Sequence, residues 1–388
     1  MKNALHRQTD RQTDRQTDRQ TDRQTDRQTD RQTDRQTDRR NIGLDLYRIL
    51  AVMFIFLFHS HIHLQCDYGV FTSFISMGAI YMTAFFILSG FALFLTWQSR
   101  DLKSIEMIRT FYVKRLLGII PLYYVVSFLY VILMGKETVF QNLLLAPIEL
   151  IGIQSNFNSL FPVSHNGGTW FISCILMCYI IYPFIQEIAK QIHVKIKIIV
   201  ILFLSSILLY SPFIVHCFQT SIIYANPFFR VLEFAIGVML CSMLPDISTG
   251  KFDNALYSAR AVLFEYLLLI AGVTIGVKYK LYVGDYMLYS LIALPMFILL
   301  IMSMYGLKFP SYLQDSKVII YLSRSSYAFF LAQFFVWDTT RHIIDIIGFE
   351  ANILKVAFSF AACVVYAVTM HEIIEKRFVK YFKEKNLC

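Results

Sequence analysis

Charged side chains are what this sequence has least of. Asp, Glu, Lys and Arg make up 16% of its 388 residues, against about a quarter in soluble domains. The shortage is deeper than the percentage. A repeat near the N-terminus holds eight Arg and eight Asp; taken from 36 basic and 27 acidic residues, it leaves 28 and 19 for the rest. With 56% hydrophobic and 16% aromatic residues, the remainder reads as a chain embedded in a membrane. The net charge of +9 does not imply nucleic acid, because such a partner needs Lys and Arg clustered on a soluble face. Here the basic residues fall between apolar runs, as in the cytoplasmic loops of membrane proteins.

Cysteine is sparse and unpatterned. The seven thiols, Cys66, Cys174, Cys178, Cys217, Cys241, Cys363 and Cys388, are odd in number and mostly lie within apolar runs, where a thiol acts as a small hydrophobe. Cys174 and Cys178 are one helical turn apart but lack the second pair that a zinc site would need. No metal and no bound cofactor are expected. Nor is a cleavable signal peptide, since the repeat occupies the place ahead of the first apolar run.

Long apolar runs are what is present. A membrane helix takes about 20 predominantly apolar residues, and that template gives ten spans. They fall near 44–64, 71–97, 116–134, 168–188, 197–216, 227–244, 261–277, 286–305, 318–337 and 352–374. "NLLLAPIELIGI" is too short and broken to cross and reads as interfacial or re-entrant. With the N-terminus in the cytoplasm, the inside loops hold Arg100, Lys103, Arg109, Lys114 and Arg115, then Lys190, Lys195 and Lys197. The tail adds Lys376, Arg377, Lys380, Lys383 and Lys385 on the same side. That alternation follows the positive-inside rule. The expected fold is therefore an all-α integral membrane protein of about ten helices, both termini cytoplasmic, without a soluble domain. Its parts are an N-terminal segment 1–40, a transmembrane domain 41–376 and a basic tail 377–388.

The first span, "LDLYRILAVMFIFLFHSHIHL", carries groups that hydrocarbon does not tolerate alone. Arg48 and His59 are eleven residues apart, a rise of about 16 Å and within about 20° of three full turns. Both therefore line one face, Arg48 near the cytoplasmic end and His59 towards the outer half. Two readings follow: a functional pair facing a cavity, or a snorkelling Arg48 and a His59 bonded to a neighbouring helix. His59 and His63 have metal-ligand spacing, yet no carboxylate lies near to orient them. Elsewhere Asp45 can pair with Arg48 or cap the helix, and Trp170 reads as an interface anchor. Arg230 and Glu233, three apart, read as an intrahelical pair.

These residues carry a family resemblance. "RILAVMFIFLFH" resembles the Arg-x10-His signature of the acyltransferase-3 family of integral membrane acyltransferases, of the surface-polysaccharide O-acetyltransferase type. "FFILSGFALF" (Phe85 to Phe94) is similar to its second-span motif, and "FYVKRLLGIIPLYY" to its basic loop ahead of a proline, here Pro121. "GGTWFISCILMCYIIYPFI", "SSYAFFLAQFFV" and "HEIIEKRFVKYF" resemble later family segments in the same order, so the likeness runs from 44 to 382. The chain departs from the pattern at Gly118, where a second Arg is usual, and at Ile175, where Glu is common. Gln333 stands at a usual His, and Arg377 at a usual Pro.

The resemblance implies transfer of an acyl group, most often acetyl, from cytoplasmic acyl-CoA as co-substrate to a hydroxyl on an extracytoplasmic glycan, at the bacterial inner membrane. On that reading Arg48 and His59 are the catalytic candidates. Lys114 and Arg115 would bind the polyanionic donor, for which guanidinium is a good fork. Asp45, Ser89 and Trp170 are supporting candidates. His59 can take a proton from a sugar hydroxyl, its ordinary pKa being near 6.5, or form a transient acyl-histidine. The competing readings are a transporter or flippase without chemistry, and an acyltransferase with a small-molecule or lipid acceptor. No repeat between the halves, as many transporters show, is visible.

"RQTD" runs eight times without error from Arg7 to Asp38. Its charges cancel and it has nothing apolar to pack, so disorder is expected. Repeated ACAG reads ACA GAC AGA CAG, which is Thr-Asp-Arg-Gln. The tract therefore suggests a slippage-prone switch in the gene: one four-base copy more or fewer changes the downstream frame. Such switching suits an enzyme whose product lies on the cell surface, a lipopolysaccharide-type or capsular glycan.

Overall fold

In the computed structural model the chain divides into two units, residues 1–41 and 42–388. The structure describes residues 40–134, 138–157, 167–218, 224–247, 257–279, 288–348 and 350–384. The "RQTD" repeat and the last four residues of the expected tail lie outside the described residues. Every helix named below belongs to the second unit.

All ten expected spans contain helix, and no strand occurs among the described residues. The longer elements are α1 (Ile42–Leu64), α2 (Tyr81–Trp97), α3 (Ile105–Leu117), α4 (Ile120–Met134), α5 (Val139–Ile151), α6 (Trp170–Gln191) and α7 (Val194–Phe218). They continue with α8 (Pro227–Ser242), α9 (Ala259–Tyr279), α10 (Leu294–Gly306), α11 (Lys317–Ile347), α12 (Asn352–Met370) and α13 (Lys376–Glu384). Local chemistry sets several of their ends. Ser104 and Ser316 accept from the backbone amides of Met107 and Ile319 at the starts of α3 and α11. Thr138 and Gln141 form a capping box on α5, and Asn226 caps α8 ahead of Pro227, each satisfying donors that a helix start leaves open. Gly152 and Gly348 close α5 and α11 at φ 77°, a conformation only glycine adopts without strain. The α5 segment is "NLLLAPIELIGI" with its flanks; at 13 residues it is too short to cross.

Among the described residues, seven helical stretches are long and apolar enough to span a membrane, and eight if Leu291–Gly306 and Ser311–Gln333, bent by 113°, make one. The chain is a multi-pass membrane protein. α8 has 16 residues, a rise of about 24 Å, and is too short to count on length alone.

Packing fixes the direction of each helix against its neighbours. Phe54 stacks on Tyr81 and Phe58 faces Gly78, so α1 and α2 run antiparallel. Tyr182 and Gln186 donate to the carbonyls of Leu93 and Trp97, so α2 and α6 run parallel. Cys174 and Cys178 reach the carbonyls of Ala225 and Arg230, so α6 and α8 are parallel. Glu265 meets Ser303 while Gly272 faces Ile292, which makes α9 and α10 antiparallel. Thr340 meets Ser359 and Tyr321 meets Glu372, so α12 with its continuation runs back along α11. The closest crossing joins α2 and α8. A methyl on Gly90 would collide with the Phe234 carbonyl, and one on Gly237 with the Ile87 carbonyl. Small residues let two backbones touch there, as membrane bundles require in the absence of a hydrophobic drive between helices.

Candidate active site

Two helices build the site. α1 presents Asp45, Arg48 and His59 on one face, and α11 lies along that face in the same direction. The register is set by three rungs: Arg48 against Ser323, His59 against Gln333, and His63 against Arg341. Because eleven residues separate Arg48 from His59 and ten separate Ser323 from Gln333, parallel helices keep both rungs in step.

At the first rung Arg48 Nη1 donates to Ser323 Oγ at 3.0 Å. The Ser323 hydroxyl donates to Asp45 Oδ1 at 2.6 Å, and Arg48 lies 3.5 Å from the same oxygen. Asp45 is buried, whereas the Arg48 side chain is 28% exposed. Arg48 is therefore held by a buried carboxylate and a hydroxyl while part of it remains accessible, unlike a side chain simply stretched to headgroups.

At the second rung His59, buried, lies 2.6 Å through Nδ1 from Gln333 Oε1. An amide oxygen only accepts, so the proton sits on Nδ1, and in the neutral ring the basic lone pair is on Nε2. The hydrogen bond fixes both tautomer and ring orientation. His63 is half-buried, and its backbone carbonyl accepts from Arg341 Nε at 3.0 Å. His61 turns away to the Cys66 carbonyl at 2.8 Å. Among the described residues no group of three or more His, Cys, Asp or Glu is arranged to hold a metal.

The basic pair expected at the donor end is split. Lys114 is exposed, while Arg115 is half-buried, its guanidinium 5.8 Å from the Trp97 ring and 6.0 Å from the Tyr179 ring. Arg115 Nε is buried and has no hydrogen-bond partner among the described residues. Arg115 of α3 thus lies against rings from α2 and α6. Arg100 lies 4.5 Å over Trp97 and extends the positive region.

Trp170 does not present its ring on the protein surface, as an anchor would. It is buried, with the Arg230 guanidinium 5.5 Å over its ring. Phe86 and Tyr224 offer Arg230 two further faces at 5.4 and 4.9 Å. Arg230 and Glu233 do form the intrahelical pair, at 2.7 Å, and Thr83 donates to Glu233 at 2.8 Å. A buried cation needs a counter-charge and polarisable surroundings, and Trp170 is part of that surround. Ser89 is half-buried, and its neighbour Gly90 makes the helix crossing.

Ser323, Gln333 and Tyr179 are not legible in the sequence as partners of Arg48, His59 and Arg115. Only Gln333 leaves a trace, standing where a histidine is usual. A family profile described as an acyltransferase domain matches residues 41–372, which includes α1 to α12 and all of these groups. Neither the curated proteins nor the solved structures give a match.

Proposed function

Since the chain belongs to the acyltransferase-3 family of membrane acyltransferases, we propose that it moves an acetyl group from cytoplasmic acetyl-CoA to a hydroxyl of an extracytoplasmic glycan at the bacterial inner membrane. The observation that carries this reading is the pairing of Arg48 and His59, on one face of α1, with Ser323 and Gln333 of α11. A cation at one end and an oriented base about 16 Å along the helix suit a donor whose phosphates stay at one side while its pantetheine arm extends inward. Arg48 and Arg115 receive the anionic end. As the acceptor oxygen attacks the thioester carbonyl carbon, His59 Nε2 takes the hydroxyl proton. The intermediate collapses, the carbon–sulfur bond breaks, and the leaving thiolate takes that proton from the imidazolium to leave as the free thiol.

Ten crossings follow if the short α8 and each arm of the bent pair cross once, and the Lys and Arg of the expected inside loops support both termini in the cytoplasm. The error-free "RQTD" repeat supports a four-base tract that switches expression, and with it a cell-surface glycan, lipopolysaccharide or capsule, as acceptor.

Membranes containing the protein are expected to transfer label from acetyl-CoA to surface glycan. Glycan from cells lacking the gene should be lighter by the mass of the missing acetyl groups. His59→Ala, at unchanged abundance, should abolish both signals. Full transfer by that variant would remove His59 from the chemistry, and unchanged glycan mass without the gene would remove the glycan as acceptor.

A further inference from the structure

Next to His59, α11 carries two buried hydrogen-bond donors that nothing satisfies among the described residues. Gln333 gives its Oε1 to His59 Nδ1, but its own amide Nε2 has no partner there. One turn further, the Trp337 indole Nε1 is likewise buried and unpartnered. Both side chains are inaccessible to solvent, so water at a surface does not account for them. The Trp337 ring is packed 5.0 Å from Phe56 and lies parallel to His63 at 6.1 Å. The α1 pair His59 and His63 thus faces the α11 pair Gln333 and Trp337. Residues four apart on a helix share a face, so the two donors line one strip beside the base.

Buried donors are almost always matched, and here the mismatch has one sign. An indole nitrogen can only donate, and the Gln333 carboxamide has spent its oxygen on His59. The missing partner is therefore an oxygen with lone pairs and no proton to place. A sugar hydroxyl hands its proton to His59 Nε2 and its oxygen is committed to the attack on carbon, and a phosphate is drawn to the arginines at the other end. A thioester carbonyl meets the requirement, more so as it gains negative charge.

We propose that the Gln333 amide and the Trp337 indole N–H form the oxyanion site of the acyl transfer, with Gln333 also fixing the His59 tautomer. This rests on the acyltransferase reading above. As the acceptor oxygen bonds to the carbonyl carbon, the carbonyl π pair moves onto oxygen and is held by the two N–H groups. It returns when the carbon–sulfur bond breaks. Donors preset where charge develops act on the chemical step rather than on ground-state binding.

The test is the initial rate of labelled acetyl transfer against acetyl-CoA concentration, in vesicles from the producing strain that carry its own acceptor, normalised to full-length protein. Trp337→Phe keeps an aromatic ring and removes the N–H; it should lower kcat about 100- to 1000-fold, with KM for acetyl-CoA nearly unchanged, as loss of an oxyanion donor does. Gln333→Met, of similar shape, should lose at least as much, since both its functions go. His59→Ala is measured alongside. If it is inactive while Trp337→Phe and Gln333→Met keep wild-type kcat, or fail only through KM, the oxyanion assignment is overturned and the acyltransferase reading stands. If His59→Ala is active, both fall. Should Gln333→Met not accumulate, Trp337→Phe decides alone.

Discussion

Arg115 and Lys114 are neighbours in sequence with different surroundings. Arg115 is half-buried between the Trp97 and Tyr179 rings, while Lys114 is exposed. Removing Arg115 as Arg115→Gln should raise KM for acetyl-CoA about tenfold or more, the equivalent of one charge-assisted hydrogen bond; Lys114→Gln should change it little. Initial-rate kinetics on vesicles distinguishes the two. Glu233 offers a second test at this scale. It is the counter-charge of a buried Arg230 ringed by Trp170, Phe86 and Tyr224. Glu233→Ala leaves that guanidinium uncompensated, at a cost of about 3–5 kcal/mol. Thermal unfolding in detergent should show a lowered midpoint, and Glu233→Gln a smaller drop, because the amide still accepts a hydrogen bond.

Among elements, the crossing of α2 and α8 carries the sharpest constraint. Both backbones approach through Gly90 and Gly237, and any Cβ there meets a carbonyl oxygen. Gly90→Ala or Gly237→Ala must push the helices apart, costing about 1–3 kcal/mol as overpacking does. The expected outcome is a lower melting midpoint and less monodisperse protein on size exclusion. Ser89→Ala, one residue away and only half-buried, should match the parent in stability and in acetyl transfer. Loss of transfer in that variant would restore Ser89 as a supporting group. The pairing of α1 with α11 is of another kind, polar rungs rather than glycine contact, and those rungs orient the Arg48 and His59 side chains.

Over the whole molecule, α7, α9 and α12 turn large apolar side chains outward, among them Leu202, Phe203, Leu267 and Val365, as surfaces covered by lipid do. No comparable demand falls on the repeat. Deleting residues 7–38 in frame should leave acetyl transfer per molecule unchanged, whereas removing one four-base copy should abolish full-length protein; immunoblot with the vesicle assay reads both. How much the sequence determined depends on the range of each signal. Helix positions, the short α5, the Arg48–His59 face and the Arg230–Glu233 pair all depend on residues within a few turns, and periodicity displays them. Trp170 departs from its local signal because an aromatic near a helix end reads as an anchor, whereas a cation from α8 draws it inward. The partners of the two key groups lie 275 and 274 residues away, beyond any local pattern. Only tertiary packing, which sets α11 parallel to α1 in a single register, decided that Ser323 holds Arg48 and Gln333 holds His59.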